Sequence, residues 1–479
     1  VRLAKATLPQ VPDDIAAPRT RGPLGVGIVH FGPGAFHRAH QAAYIDALLD
    51  RDSRWGIAAV SMRSRGTVDA LAAQDGLYTL AIRDAETSHR IIGAHQRFLG
   101  PAEAAETRAL LADPGVGLVT TTVTEKGYCL APDGTLDINH PDIVADLAGA
   151  DVPASVVGWI VTGLAARRAA GIAPYVVMPC DNLANNGAKL KAALVAFARA
   201  TDHDLADWIE RDVAVPATMV DSITPAADEA LATDVAAALD GLVDEAPVQR
   251  EAFAQWVIED IGRPLGPDLA SVGATVTADV AGYERAKLRI LNGAHSTLAY
   301  AGLLRGHASV SDAMGDPALA TFVEAMIADD IAPMLAPVAG LDLRAYAQAV
   351  LTRFRNPVIV HRLEQIAMDG SQKLPYRLGD TLIANRAADR MPTRVVAALG
   401  CWIAFLVTRT KSGTPIADPA ADTLARIATS GDPRRIAAEV AERGIGLPTA
   451  IAGDTAALDA IADAASRALA GDWSILDRR

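Results

Sequence analysis

Cysteine is scarce in this chain: Cys129, Cys180 and Cys401 are scattered and form no CxxC pair. That excludes a disulfide framework, offers no ligand spacing for a structural zinc, and suits a reducing compartment. Positive charge is in deficit too, with 44 Lys+Arg against 57 Asp+Glu for a net charge of −13 and no long run of one sign. Nucleic acid and anionic membranes need a cationic face to neutralise phosphates, so neither is an expected partner. Long apolar runs are missing as well. The longest, Val395 to Val407, has 13 residues, short of the ~20 that cross a bilayer, and it reads as a buried core helix. The opening VRLAKATLPQVPDD has no continuous apolar stretch of the kind a secretory signal carries, so a soluble, cytoplasmic protein is expected.

Apolar side chain is plentiful: hydrophobic residues make up 51% and charged residues 21%, which excludes disorder. At 479 residues the chain is long enough for two domains or one large composite unit. Its first half alternates strand-like and helix-like segments. Val26–Phe31 (VGIVHF) stops at Gly32-Pro33-Gly34, and a helical stretch follows through AFHRAHQAAYIDALLD. Trp55–Val60, Val116–Val123 and Pro174–Met178 are further apolar strand candidates, the last two separated by the helical SVVGWIVTGLAARRAAG. Near-continuous apolar strands interleaved with helices indicate a parallel sheet covered on both faces. After about residue 279 the strand signals fade, and Ala318–Ile331, Leu343–Phe354, Arg394–Arg409 and Thr449–Ala470 show helical spacing. The expected fold is α/β, a doubly wound parallel sheet over 1–278 followed by a mostly helical domain over 279–479.

Gly32-Pro33-Gly34-Ala35-Phe36-His37 follows a predicted strand and opens a predicted helix. The first glycine of such a loop permits a tight turn, and the second lets backbone approach a pyrophosphate seated at the positive end of the helix. His37 replaces the third glycine of the usual pattern, and a Gly-Pro-Gly turn that merely caps a core strand is the alternative. About 20 residues on, where a carboxylate would hold an adenine ribose, the chain reads Ser61-Met62-Arg63-Ser64-Arg65, with no carboxylate before Asp69. Arg63 and Arg65 suit a 2′-phosphate or are solvated loop arginines. On the residues alone the choice of cofactor stays open; NAD(H) is the first expectation and NADP(H) the second.

A second constellation is Lys287-Leu288-Arg289-Ile290-Leu291-Asn292-Gly293-Ala294-His295. At α-helical spacing Asn292 lies roughly 140° from Lys287, His295 roughly 80° and Glu284 about 60°, which groups an amine, an amide, an imidazole and a carboxylate. Oxidising a secondary alcohol needs a base for the hydroxyl proton. Without a metal, a partly buried lysine of lowered pKa can serve, with amide or imidazole donors for the oxyanion. The alternative is an exposed Glu284–Lys287 helix pair beside a satisfied core histidine. Cys180-Asp181-Asn182-Leu183-Ala184-Asn185-Asn186-Gly187 sits just past a strand, at the sheet edge where ligands of α/β proteins bind, or else is an Asx-type turn capping the next helix. In Asp369-Gly370-Ser371-Gln372-Lys373-Leu374-Pro375-Tyr376-Arg377, Lys373 and Arg377 suit a substrate carboxylate or are a solvated basic loop.

Taken together, GIVHFGPGAFHRAHQAAYIDALL, TVTEKGYC, YVVMPCDNLANNG, MVDSITP, FAQWVIED, KLRILNGAHS and MDGSQKLPYR resemble the mannitol dehydrogenase family of long-chain, metal-independent polyol dehydrogenases. These stretches run from residue 27 to residue 377. The resemblance implies a Rossmann-type domain followed by a mostly helical one, a nicotinamide cofactor, no metal and a monomer. It makes Lys287 the general acid/base, Asn182 and Asn292 the groups that polarise the reacting oxygen, and His295 a substrate-orienting residue. Glu284 then gates proton exchange between the lysine and solvent, and Asp221 lies near the same site. Gly32, Gly34, Ala35, Phe36, His37 and Arg63 are the expected cofactor-binding positions. Within the family, TVTEKGYC, KLRILNGAHS and QIAMDGSQKLPYR look more like the fructuronate reductases than the mannitol 2-dehydrogenases, where an arginine is expected at the place of Gln365 and SSKFPK at that of SQKLPYR. That implies a sugar acid, D-fructuronate or D-mannonate, whose carboxylate Lys373 and Arg377 bind. A neutral polyol (D-mannitol, D-arabinitol or D-sorbitol) is the alternative substrate. Ser222 departs from the pattern, standing where the family's MVDRI has arginine.

Overall fold

The computed structural model describes residues 1–18 and 24–477, and the chain divides into two compact units, Val1–Ala281 and Gly282–Arg479. In the first unit, five strands form one sheet: β1 (Val26–Phe31), β2 (Gly56–Val60), β3 (His95–Leu99), β4 (Leu118–Thr121) and β5 (Val176–Pro179). Their order is β3-β2-β1-β4-β5 and every pairing is parallel. Side chains alternate between its faces, as a strand period of two dictates. Val29, Ala58, Val119 and Val177 join one core with helices Val156–Ala169 and Asn186–Arg199; Ile28, Ile57, Leu118 and Met178 join another with Ala39, Ile45 and Leu48. Both faces are dry, which is why these strands read as unbroken apolar runs.

Two boundaries differ from the sequence expectation for visible reasons. The helical stretch after Gly34 is two helices, Ala35–Ala39 and Gln41–Leu48, because His40 leaves helical geometry at φ −116°, ψ −87°. The His40 ring is buried and bonded through Nε2 to the Gln255 carbonyl at 2.9 Å. Trp55 falls outside its strand, in a short 3₁₀ turn, Ser53–Trp55. Two three-stranded sheets were not anticipated. One orders Thr275–Thr277, Gln255–Glu259 and Thr218–Asp221; the other orders Ser88–Ile92, Tyr78–Arg83 and Val248–Glu251.

The second unit is helical. Leu343–Phe354 and Thr393–Ser412 lie where periodicity puts them, while the expected helix over Thr449–Ala470 splits at Asp454, whose carboxylate caps Thr455–Leu469. The apolar run Val395–Val407 is the wholly buried centre of Thr393–Ser412. That helix is long and apolar enough to cross a membrane, yet 72% of its apolar window is buried inside the protein, as in a core helix. Buried Asp330 accepts the Arg394 and Val395 amides at 2.9 and 3.0 Å and so caps its start. Among the described residues three segments are π-helical: Lys287–Asn292, Met326–Ile331 and Pro375–Gly379. Such turns, closed by i→i+5 bonds, are rare and concentrate at functional sites.

Candidate active site

Strand order reverses around β1, so the loops after β1, β4 and β5 leave neighbouring carboxyl ends, the usual ligand edge of an open α/β sheet. Gly32 turns there at φ +91°, donating its N–H to the Val60 carbonyl at 3.0 Å. A Cβ on it would lie 2.3 Å from the Thr122 carbonyl oxygen, so only glycine lets these two loops approach so closely. Gly34 differs. It caps Ala35–Ala39 at φ −69°, is exposed, and a Cβ there would have the Gly32 carbonyl oxygen, 4.0 Å away, as its nearest neighbour. That open space before a helix start, floored by half-buried Ala35 and Phe36, fits a pyrophosphate.

His37 is fully buried, so only its backbone is available to a dinucleotide. Its ring stacks on His30 with centroids 3.4 Å apart and reaches His95, Nε2 to Nε2, at 3.0 Å. His30 donates from Nε2 to the Gly32 carbonyl at 3.1 Å, which leaves Nδ1 to accept from the Thr120 hydroxyl at 2.7 Å. Burial pushes His30 and His95 down to about 3 and holds His37 well below its ordinary range, so all three are neutral. Three imidazoles thus floor the loop where the usual pattern has a glycine.

Arg63 is exposed and ion-paired with Asp142 at 2.9 Å. Arg65 pairs with Asp69 at 2.9 Å and also with Glu103. Folding also brings Cys129 to His140 and Asp142, with ligand atoms within 4.8 Å of one another, a grouping absent from the linear spacing. Burial pushes the Cys129 thiol up to about 11, and Asp142 is held by Arg63.

Beyond β5, Asp181 accepts the Leu183 amide at 3.0 Å, an Asx turn, and also accepts a bond from the buried Tyr128 hydroxyl. This is the expected turn, but it does not cap the next helix, whose N-cap residue Asn185 makes no side-chain capping bond; the turn presents Asn182 at the surface. Asn186 is buried, tied to Thr218 through its carbonyl at 3.0 Å. Asp221 is buried at the end of Thr218–Asp221, opposite Gln255.

In the helical unit, Lys287 and Glu284 are half-buried, so they are no exposed pair. Lys287 to Asn292 is one of the π-helical segments. Closing by i→i+5 brings Asn292 about one turn above Lys287, and this replaces the wide angle expected of an α-helix. His295 is 5% exposed, stacks on Phe354 at 4.3 Å, and has no partner for Nε2 among the described residues. Burial chiefly, then His361, Arg377 and Arg353, hold its pKa well below the ordinary value, so it is a neutral donor–acceptor. Arg377, in the third π-helical turn, donates to the Ser296 hydroxyl at 3.0 Å. Gly293 makes this approach possible, since a Cβ there would stand 3.0 Å from the Arg377 carbonyl oxygen. Lys373 is elsewhere engaged, with Asp369 at 3.2 Å and the Met368 carbonyl at 2.8 Å. His361 and Arg353, both unremarked in the sequence, join the surroundings of His295 by tertiary packing.

A parallel sheet of this order, with a glycine turn and an open helix start at its switch point, defines a dinucleotide-binding Rossmann unit, and the helical unit carries Lys287, Asn292 and His295 along one π-helical turn and the helix that follows it. The family profiles agree: the Mannitol dehydrogenase Rossmann domain matches residues 26–266 and the Mannitol dehydrogenase C-terminal domain residues 279–458. The chain belongs to the mannitol dehydrogenase family, whose members are NAD(P)-dependent secondary-alcohol oxidoreductases. It is 45% identical over 362 residues to the D-mannonate oxidoreductase of Escherichia coli (strain K12), covering 74% of each chain. Identity to the mannitol 2-dehydrogenase of Cereibacter sphaeroides is 39% over 407 residues, 83% of this chain and 84% of that one. Among solved structures, the Pseudomonas fluorescens mannitol 2-dehydrogenase in ternary complex with NAD and D-mannitol matches at a TM-score of 0.85 and 35% identity, covering 100% of this chain and 99% of that one.

Proposed function

We propose that the protein transfers hydride reversibly between a nicotinamide dinucleotide, NAD(H) in the first place, and C5 of a six-carbon sugar acid, interconverting D-fructuronate and D-mannonate. The bound cofactor supplies or takes up the hydride. Gly32, Gly34, Ala35, Phe36 and the His37 backbone would hold its pyrophosphate, and Arg63 would serve its adenosine end. In the reducing direction the Lys287 ammonium gives its proton to the carbonyl oxygen as that oxygen gains charge, while the Asn292 amide donates to the same atom. In the oxidising direction neutral Lys287 removes the hydroxyl proton. Glu284, three residues before it, exchanges that proton with solvent. His295 orients the substrate through Nε2. Asn182 is proposed for the oxyanion, and Asp221 for the same site, on the family resemblance.

The observation that supports an acid over a neutral sugar is Arg377: a permanently charged guanidinium bonded to Ser296, the residue after His295. Such a group binds a carboxylate in fixed geometry, and Lys373 is proposed beside it on the family resemblance. The 45% identity to a D-mannonate oxidoreductase supports the same reading. One observation favours the rival, a polyol dehydrogenase acting on D-mannitol, D-arabinitol or D-sorbitol: Asp369 already neutralises Lys373. Arg377→Ala separates the two. It should raise KM for D-fructuronate by about tenfold or more, the loss of ~1.5–3 kcal/mol from a charged hydrogen bond, and leave KM for D-fructose unchanged. An equal effect on both substrates would make Arg377 structural and restore the polyol reading.

A further inference from the structure

The corner around His295 contains a group that none of the motifs supplies. The His361 ring stands edge-on to that of His295, centroids 4.9 Å apart and planes at 84°. Nδ1 of His361 and Nε2 of His295 are both buried without a hydrogen-bond partner among the described residues. Burying such an atom unsatisfied is costly, and buried polar groups are nearly always satisfied. Two neighbouring orphans in one corner point to a polar ligand.

The fold fixes His361 firmly. Its carbonyl accepts the Val310 amide at 3.0 Å, Leu363 donates to Ala308 at 3.0 Å, and a bridge joins Ser309 to Arg362. Burial keeps the His361 imidazole neutral, like that of His295. After burial and His361, Arg377 and Arg353 lower the His295 pKa, so two cations stand near it and a ligand bearing negative charge suits the corner.

We propose that His361 is a specificity-determining residue, donating its Nδ1–H to the carboxylate of the bound sugar acid beside Arg377. Arg377 supplies the charge, and the uncharged imidazole supplies direction. This rests on the sugar-acid reading of the same site.

The test is initial rates with D-fructuronate and with D-fructose for the wild type, His361→Ala, His361→Asn and His361→Gln. Asparagine sets an N–H near the place of Nδ1, whereas glutamine carries its amide one atom farther out. Expected for His361→Ala is a KM for D-fructuronate raised about tenfold, the equivalent of one lost hydrogen bond, with kcat and the KM for D-fructose little changed. His361→Asn should recover most of the loss and His361→Gln little of it. Should alanine destabilise the fold, the asparagine–glutamine contrast alone decides. An unchanged KM for D-fructuronate, an equal loss on both substrates, or asparagine no better than glutamine would overturn the inference while leaving the sugar-acid reading intact. A wild type that reduces D-fructose and ignores D-fructuronate would overturn the sugar-acid reading and this inference together.

Discussion

Gly32 and Gly34 stand two residues apart in one turn, yet alanine should act on them in opposite ways. At Gly32 an L-residue is held at φ +91°, a backbone state that costs roughly 1–2 kcal/mol. Its Cβ would also lie 2.3 Å from the Thr122 carbonyl oxygen, so the loop after β4 must retreat by nearly an ångström. Overpacking of that kind costs about 1–3 kcal/mol, which brings Gly32→Ala to ~2–5 kcal/mol in all. At Gly34 the backbone, φ −69° and ψ −177°, suits any residue, and the nearest neighbour of a Cβ is 4.0 Å away. Gly34→Ala should therefore keep its stability within about 0.5 kcal/mol. It nevertheless puts a methyl group into the space before the helix start, and NADH affinity should fall by tenfold or more. Urea unfolding and fluorescence titration with NADH measure the two effects separately. Gly34→Ala binding NADH as the wild type does would refute the pyrophosphate assignment, and Gly32→Ala unfolding at the wild-type midpoint would refute the steric one.

Lys287→Ala should lower kcat by at least about a hundredfold, the scale of a general acid/base, while NADH still binds; near-normal turnover would remove Lys287 from the mechanism. Acid should weaken the dinucleotide-binding unit. His30, His37 and His95 are neutral when folded but take up protons when unfolded below pH ~6.5. The stability is thus complete above that pH and is lost as pH falls below it, toward 3 for His30 and His95, at up to about 1.4 kcal/mol per histidine per pH unit. A urea midpoint that stays flat from pH 7 to pH 5 would contradict this. Asp142→Asn removes the carboxylate that holds Arg63 at 2.9 Å, and should improve NADPH affinity several-fold relative to NADH. Adding Arg63→Ala should cancel that gain, and its persistence would mean that Arg63 does not meet the 2′-phosphate.

The parallel sheet was legible because both its faces are buried, which turns each strand into a continuous apolar run. The small sheets were not: Ser88–Ile92 (SHRII) and Val248–Glu251 (VQRE) are short and mixed in polarity, and Leu80 finds Val248 only through the fold. Lys287, Asn292 and His295 stood out as polar residues in an apolar stretch, but their relation was misjudged because a period of 3.6 does not describe a π-helical turn. His37 looked like a departure from a glycine pattern, and the reason for it lies in His30 and His95, whose rings meet it in the core. Lys373 and Arg377 looked equivalent in the chain. Asp369 and the Met368 carbonyl take one and Ser296 the other, a difference set by side-chain packing alone. His361 had no local signal at all, since it lies far from His295 in the chain and reaches it through the bridge at Ser309.

The proposed substrate of this oxidoreductase is a carboxylate-bearing sugar. The direct measurement is initial rates of NADH and NADPH oxidation with D-fructuronate and D-fructose side by side, over a concentration series. A kcat/KM for D-fructuronate at least about a hundredfold above that for D-fructose, some 2.7 kcal/mol, is the expected result. A preference for D-fructose would contradict it, place the protein among the polyol dehydrogenases, and make Arg377 and Lys373 structural cations.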